Sequence, residues 1–148
     1  KLTADYFLEN FKKNVIPTIQ VTQKCISLFR KAKFGKIITI LSSAIINKPP
    51  VGWSEYAAQK NYLLSLSKSW ATENASFNIT SNSVSPSFML TNLTRDTDER
   101  LIEEMKSSHP LKKILTPGEV AESVKHLAEG SQHVNGMNII INAASDVI

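Results

Sequence analysis

The sequence predicts an α/β fold, a parallel sheet covered by helices, on three observations. Strand-like runs alternate with helical stretches in the order helix, strand, helix, strand, helices, strand. The clearest strand, Ile37-Ile38-Thr39-Ile40-Leu41, is β-branched and lacks alternation, which is how a strand buried on both faces reads. Strands that alternate with helices in this way imply right-handed crossovers between parallel neighbours.

From about Asp5 to Phe29 the apolar residues Phe7, Leu8, Phe11, Val15, Ile19 and Ile26 recur at helical spacing, predicting a long amphipathic helix. Pro17 interrupts it; the missing backbone donor predicts a bend near Lys13 and Asn14 and frees carbonyls for other partners. Gly35 and Lys36 lead into the first strand. A loop through Asn47, Pro49, Pro50 and Gly52 then gives way to a helix from about Ser54 to Asn74, striped by Leu63, Leu64, Leu66, Trp70 and Ala71.

Asn78 to Ser85 reads as the second strand, polar for its class. After Pro86 the chain is irregular until a short charged helix from Asp98 to Ser108, ended near Pro110. Thr116-Pro117-Gly118-Glu119 is a helix start, with a capping threonine, proline at the first helical position and glutamate placed for a capping box. That helix runs to about Glu129 and stops at Gly130, and Asn138 to Asn142 is the third strand. Three strands are few for a parallel sheet, which normally hides both faces.

Composition bounds the function. The 148 residues are one domain's worth, and 42% hydrophobic with 20% charged residues is ordinary for a globular protein. The net charge of +4 is scattered, with one cluster at Arg30-Lys31-Ala32-Lys33 and Lys36. No aromatic residues interleave with it, so it reads as a solvated helix end and not a nucleic-acid footprint. The single cysteine, Cys25, excludes an internal disulfide, suits a reducing cytosol and, in an amphipathic helix, reads as a structural thiol. His109, His126 and His133 share no metal-ligand spacing, so no metal is expected. No apolar run is long enough to cross a bilayer and no signal-peptide core opens the chain, so the expectation is a soluble cytoplasmic protein without membrane or nucleic-acid partners.

The chemistry centres on Tyr56 and Lys60, four residues apart and therefore on one side of a helix. A phenol with a pKa near 10 gives up its proton poorly at neutral pH, and a nearby ammonium favours the phenolate. On spacing alone, a solvated helix face explains the pair better than catalysis does, because a tyrosine and a lysine fall four apart by chance in many helices. In parallel α/β sheets, however, ligands bind beyond the carboxyl ends of the strands. Ser42 and Ser43 end the first strand, Pro86 follows the second, and Tyr56 opens the helix between them, so all can converge on one crevice.

These residues resemble the short-chain dehydrogenase/reductase family, over nearly the whole chain from about Tyr6 to Asn142. The strand-serine pattern matches Ile37 to Ser43, and the Tyr-x-x-x-Lys motif matches Tyr56 to Lys60; Ser43, thirteen positions before the tyrosine, is selected over Ser42. Asn10-Phe11-Lys12-Lys13-Asn14-Val15 resembles the helix carrying the family's fourth catalytic residue, here Asn14. Asn82-Ser83-Val84-Ser85-Pro86-Ser87-Phe88-Met89-Leu90-Thr91 is similar to the segment that closes over the nicotinamide.

The resemblance implies a Rossmann-like, doubly wound parallel sheet, of which this chain is the C-terminal portion with about three strands and long helices. It implies an oxidoreductase that reduces a carbonyl or oxidises an alcohol with NAD or NADP, closest in pattern to 3-oxoacyl-carrier-protein reductases and related sugar or polyketide reductases. Tyr56 would supply the proton and Ser43 would hold and polarise the same oxygen. Lys60 would tune the tyrosine and bind the nicotinamide ribose, and Asn14 would hold a water linking Lys60 to solvent. Pro86, Met89 and Thr91 would contact the cofactor, although Thr91 suits a helix-capping hydroxyl equally well. Ile45, Trp53 and Phe88 would join Ser43 in lining the substrate pocket, unless they are ordinary packing. The substrate would be a small carbonyl or alcohol, free or bound to a carrier protein. Assembly as a homodimer or homotetramer would use the helices at 5–29 and 54–74.

The chain also departs from the family pattern. Ser87 replaces the usual glycine after the proline, and Asn142-Ala143-Ala144 stands where two glycines are common, so both sites restrict backbone angles that glycine adopts cheaply. The 5 glycines, at 35, 52, 118, 130 and 136, form no glycine-rich turn of the kind that cradles a pyrophosphate. Residues 1–148 are accordingly read as the C-terminal catalytic part of the domain without its nucleotide-binding half, with 87–115 a mobile segment covering substrate and cofactor. The alternative is a non-catalytic oligomerisation or interaction module descended from such an enzyme.

Overall fold

The first helix, α1 (Ala4–Asn14), begins at Thr3, whose hydroxyl accepts the Tyr6 N–H at 3.3 Å and satisfies one of the free donors of its first turn. In this computed structural model, which describes residues 3–92 and 94–145, the helix stops where Pro17 would have to continue it. Val15 turns the chain and α2 (Ile16–Ala32) restarts with the proline in its first turn, so the predicted single bent helix is two helices. The turn buries Val15 completely.

Past the left-handed Lys33, β1 (Gly35–Ile40) begins two residues before the apolar run. Gly35 is there for space: a Cβ would lie 2.3 Å from the Phe29 ring, so its absence lets α2 close onto the strand. α3 (Ser54–Asn74), β2 (Ile79–Pro86), α4 (Glu99–Ser108), α5 (Pro117–Glu129) and β3 (Asn138–Ile141) follow, within a residue or two of the sequence expectation. The Asp98 carboxylate caps α4, and α5 carries the capping box between Thr116 and Glu119.

The sheet is parallel and three-stranded, in the order β1-β2-β3, with Ile37 opposite Ser81 and Val84 opposite Ile139. α2 and α3 cover one face through Val15, Leu41 and Leu63 and through Ile37, Trp70 and Ile79. α5 covers the other through Val84, Val120 and Leu127. Burial of these side chains contributes on the order of 1.5–3 kcal/mol each.

All eight residues of β2 are buried although Thr80, Ser81, Asn82, Ser83 and Ser85 carry hydroxyl or amide groups, because most of those groups find partners. Ser81 Oγ pairs with Ser67 Oγ of α3 at 3.0 Å. The Asn82 amide donates to the Val134 carbonyl at 2.8 Å and accepts the Met137 N–H at 2.9 Å. Asn135 accepts the Ser81 N–H at 2.8 Å and donates to the Ala71 carbonyl at 3.2 Å. The polar strand thus fixes the loop that delivers β3. Among the described residues no helix is long and apolar enough to cross a membrane.

Candidate active site

β1 ends by delivering two serines with different surroundings. Ser42 Oγ accepts the Ala44 N–H at 3.2 Å, capping a short 3₁₀ turn (Ser43–Ile45). That occupies the Ser42 hydroxyl and leaves Ser43's without a partner among the described residues. The chain then crosses Pro49 and Pro50, and the Trp53 N–H donates to the Pro50 carbonyl at 3.1 Å. Gly52 sits at φ +84°, a conformation that glycine adopts without steric cost, and α3 begins.

On α3, Tyr56 and Lys60 stand one turn apart, with the Lys60 ammonium 5.7 Å from the centre of the Tyr56 ring. Trp53 packs edge-to-face on Tyr56 at 5.4 Å. Lys60 Nζ donates to the Ile40 carbonyl at 3.0 Å, so the ammonium is held against the end of β1. Burial pushes its pKa below the ordinary lysine value, because the charged form loses hydration there.

Ser43, Tyr56 and Lys60 face one cavity of about 600 Å³. Pro86, at the end of β2, continues its wall into Phe88, Met89 and Thr91. Thr94 Oγ1 accepts the Thr91 N–H at 2.8 Å and donates to the Met89 carbonyl at 2.7 Å, which closes this wall into a turn. Thr91 does not cap α4; Asp98 does. Trp53 also lines the cavity.

Two expected site residues lie elsewhere. Ile45 packs on Val15, Leu41 and Leu63, because the 3₁₀ turn carries it back toward α1 and α3. Asn14 is exposed at the end of α1 and does not line the cavity; its carbonyl accepts the Thr18 hydroxyl at 3.4 Å. Ser87 has no left-handed backbone, so serine there carries none of the strain expected for it. Ala143 and Ala144 do, at φ 49° and 61°, and both alanines hold conformations that favour glycine.

The sequence reading missed Lys48 and Pro50 on the β1–α3 loop and Leu101 and Met105 on α4, all of which line the cavity. Leu101 and Met105, four apart on an otherwise charged helix, carried a periodic signal. Lys48 carried none. Among the described residues no three His, Cys, Asp or Glu side chains group to hold a metal ion.

A sequence model described as enoyl-(acyl carrier protein) reductase matches residues 1–143. The chain belongs to the short-chain dehydrogenase/reductase family. It is 32% identical to the 3-oxoacyl-[acyl-carrier-protein] reductase MabA of Mycobacterium tuberculosis, over 95% of this chain and 61% of the relative. It is 30% identical to the 2,3-dihydro-2,3-dihydroxybenzoate dehydrogenase of Escherichia coli, over 98% of this chain and 62% of the relative. The chain therefore spans about three-fifths of the length of these short-chain dehydrogenase/reductase relatives. Among solved structures, a gluconate 5-dehydrogenase from Burkholderia cenocepacia in complex with NADP and tartrate superposes with a TM-score of 0.89. It is 23% identical and covers 99% of this chain and 59% of that one. This likeness is one of fold: a Rossmann-type parallel α/β sheet.

Proposed function

We propose that this chain is the catalytic part of an NAD(P)-dependent oxidoreductase that interconverts a carbonyl and an alcohol. The observation that carries the reading is the convergence of Ser43, Tyr56 and Lys60 on one cavity at the carboxyl ends of β1 and β2. Neither the Tyr56 nor the Ser43 hydroxyl is engaged by another described side chain, so both can meet the same substrate oxygen.

The residues fit the nicotinamide end of the cofactor. Lys60 is a half-buried ammonium beside Tyr56 that can exchange its single carbonyl partner for ribose hydroxyls, and Pro86, Met89 and Thr91 form the opposite wall. When bound, the nicotinamide supplies or accepts hydride. In the reducing direction Ser43 donates a hydrogen bond to the carbonyl oxygen as negative charge develops there, and Tyr56 transfers its phenolic proton to that oxygen. The Lys60 charge stabilises the phenolate left behind. Asn14, at the break between α1 and α2, would hold a water that carries the replacing proton toward Lys60. The segment 87–115, including α4, would cover substrate and cofactor.

No glycine-rich turn occurs among the 148 residues, so this reading assigns the adenosine half of the cofactor to residues outside them. The intact mass of the purified protein, against 16.4 kDa for this chain, tells whether those residues belong to the same polypeptide. The relatives named as acting on acyl-carrier-protein substrates support a 3-oxoacyl substrate, and the single cysteine supports work in the cytoplasm.

Titration with NADH and NADPH tests the reading. At least one should bind below about 1 mM, and Tyr56→Phe should keep that binding while lowering carbonyl reduction by about 10²–10⁴-fold. If neither nucleotide binds at that concentration, the reading fails. A second reading, an assembly module, is favoured by exposed apolar side chains on the outer helices: Leu8 (53%), Val21 (63%) and Leu28 (54%). These would form a homodimer or homotetramer interface with α3. Were assembly the sole role, Tyr56→Phe would leave biological activity unchanged.

A further inference from the structure

The geometry points to Lys48 as a specificity residue that selects anionic substrates, an inference that rests on the oxidoreductase reading of the same cavity. The cavity lining holds two ammonium groups, Lys48 and Lys60, and no carboxylate. Lys60 donates to the Ile40 carbonyl and is assigned to the nicotinamide ribose. Lys48 is exposed on the β1–α3 loop, and none of the ion pairs among the described residues involves it. An uncompensated positive cleft with apolar walls raises the local concentration of anions, since low-dielectric walls focus the field.

The loop is held in place at both ends. Upstream, the Ile46 N–H donates to the Ser43 carbonyl at 3.0 Å; downstream, Pro49 and Pro50 precede the turn closed by Trp53 at 3.1 Å. Lys48 therefore offers a flexible four-carbon arm on a fixed base, suited to a point-charge contact with an anion at the cavity rim. The walls that Trp53, Leu101 and Met105 contribute to the same cavity are apolar. The substrate that matches is a carbonyl compound whose reacting carbon is separated by an apolar segment from a negatively charged group, either a carboxylate or a phosphate.

Binding titrations without any nicotinamide nucleotide test this, read by calorimetry with two matched pairs. One is 3-oxooctanoate against its methyl ester; the other is 3-oxooctanoyl-pantetheine with and without its 4′-phosphate. In at least one pair the anionic member should bind about tenfold more tightly, and which pair does so identifies the source of the charge. Lys48→Gln should abolish that preference while leaving the neutral member within about twofold, and Lys48→Arg should retain it. Equal binding within both pairs, a preference that survives Lys48→Gln, or no binding of any probe overturns the proposal. Because nucleotide is absent, failure here is distinct from failure of the oxidoreductase reading, which the NADH and NADPH titrations report.

Discussion

Lys60 Nζ donates to the carbonyl oxygen of Ile40 at 3.0 Å, joining the helix that carries Tyr56 to the last residue of β1. A cation is thereby stationed, partly stripped of water, where both serines leave the strand. Its desolvation depresses its pKa, and the folded protein bears the cost of that charge wherever lysine is protonated.

Lys60→Met should therefore change the pH dependence of stability. With the folded-state pKa below the ordinary 10.5, the unfolded chain binds the proton more tightly in the interval between the two values. Wild type should gain stability relative to Lys60→Met as pH rises through the lowered folded-state value, and the gain should be complete above 10.5. Urea denaturation of both proteins across that range checks the sign; parallel curves would contradict it.

Glu119 titrates in the opposite sense. The Lys113 ammonium, donating at 2.6 Å, and the Thr116 N–H and hydroxyl, both at 2.9 Å, hold its carboxyl down at about 2. Its contribution is present above the unfolded value of 4.5 and is lost as pH falls through about 2. Glu119→Gln should lower the urea midpoint at neutral pH and lose its difference from wild type in strong acid. Thr116→Ala, which removes the other half of the box, should cost about 1 kcal/mol.

Ala144→Gly should stabilise the protein. Ala144 holds φ 61° directly after Ala143 at φ 49°, conformations in which a Cβ crowds the following carbonyl. Glycine relieves that strain but enlarges the freedom of the unfolded chain, leaving a net gain of about 0.5–1 kcal/mol. Thermal melting of the variant should show a higher midpoint; an unchanged or lower one would mean that the turn does not hold this shape in solution.

Gly35→Ala should be destabilising by about 1–3 kcal/mol, the usual cost of forcing extra volume into a packed site. The new methyl would lie 2.3 Å from one Phe29 ring carbon and 2.7 Å from the Phe29 Cβ, so turning the ring alone does not clear it. The double variant Phe29→Ala/Gly35→Ala should lose less than the sum of its single losses, which chemical denaturation can measure as a coupling.

Apart from Ser43, which only the family resemblance selected over Ser42, the order of elements, a disturbance of the first helix at Pro17, the capping box of α5 and the Tyr56/Lys60 pair were legible in the sequence. Each follows from a local rule: a proline without a donor, a side chain three residues from its backbone partner, two side chains one helical turn apart. Three-dimensional packing decided the rest. Asn82 satisfies its amide 52 residues away at Val134, so nothing near β2 in sequence explains how its polar groups are buried. Ile45 packs against the core and Asn14 stays outside the cavity because the chain turns at Ser43–Ile45 and at Val15, and those turns set which side each residue faces. Lys48, Leu101 and Met105 share a cavity with Tyr56 only because α4 and the β1–α3 loop come together in the fold. Periodicity and capping fix which residues form an element, whereas a cavity belongs to several elements at once, and its lining exists only after they pack.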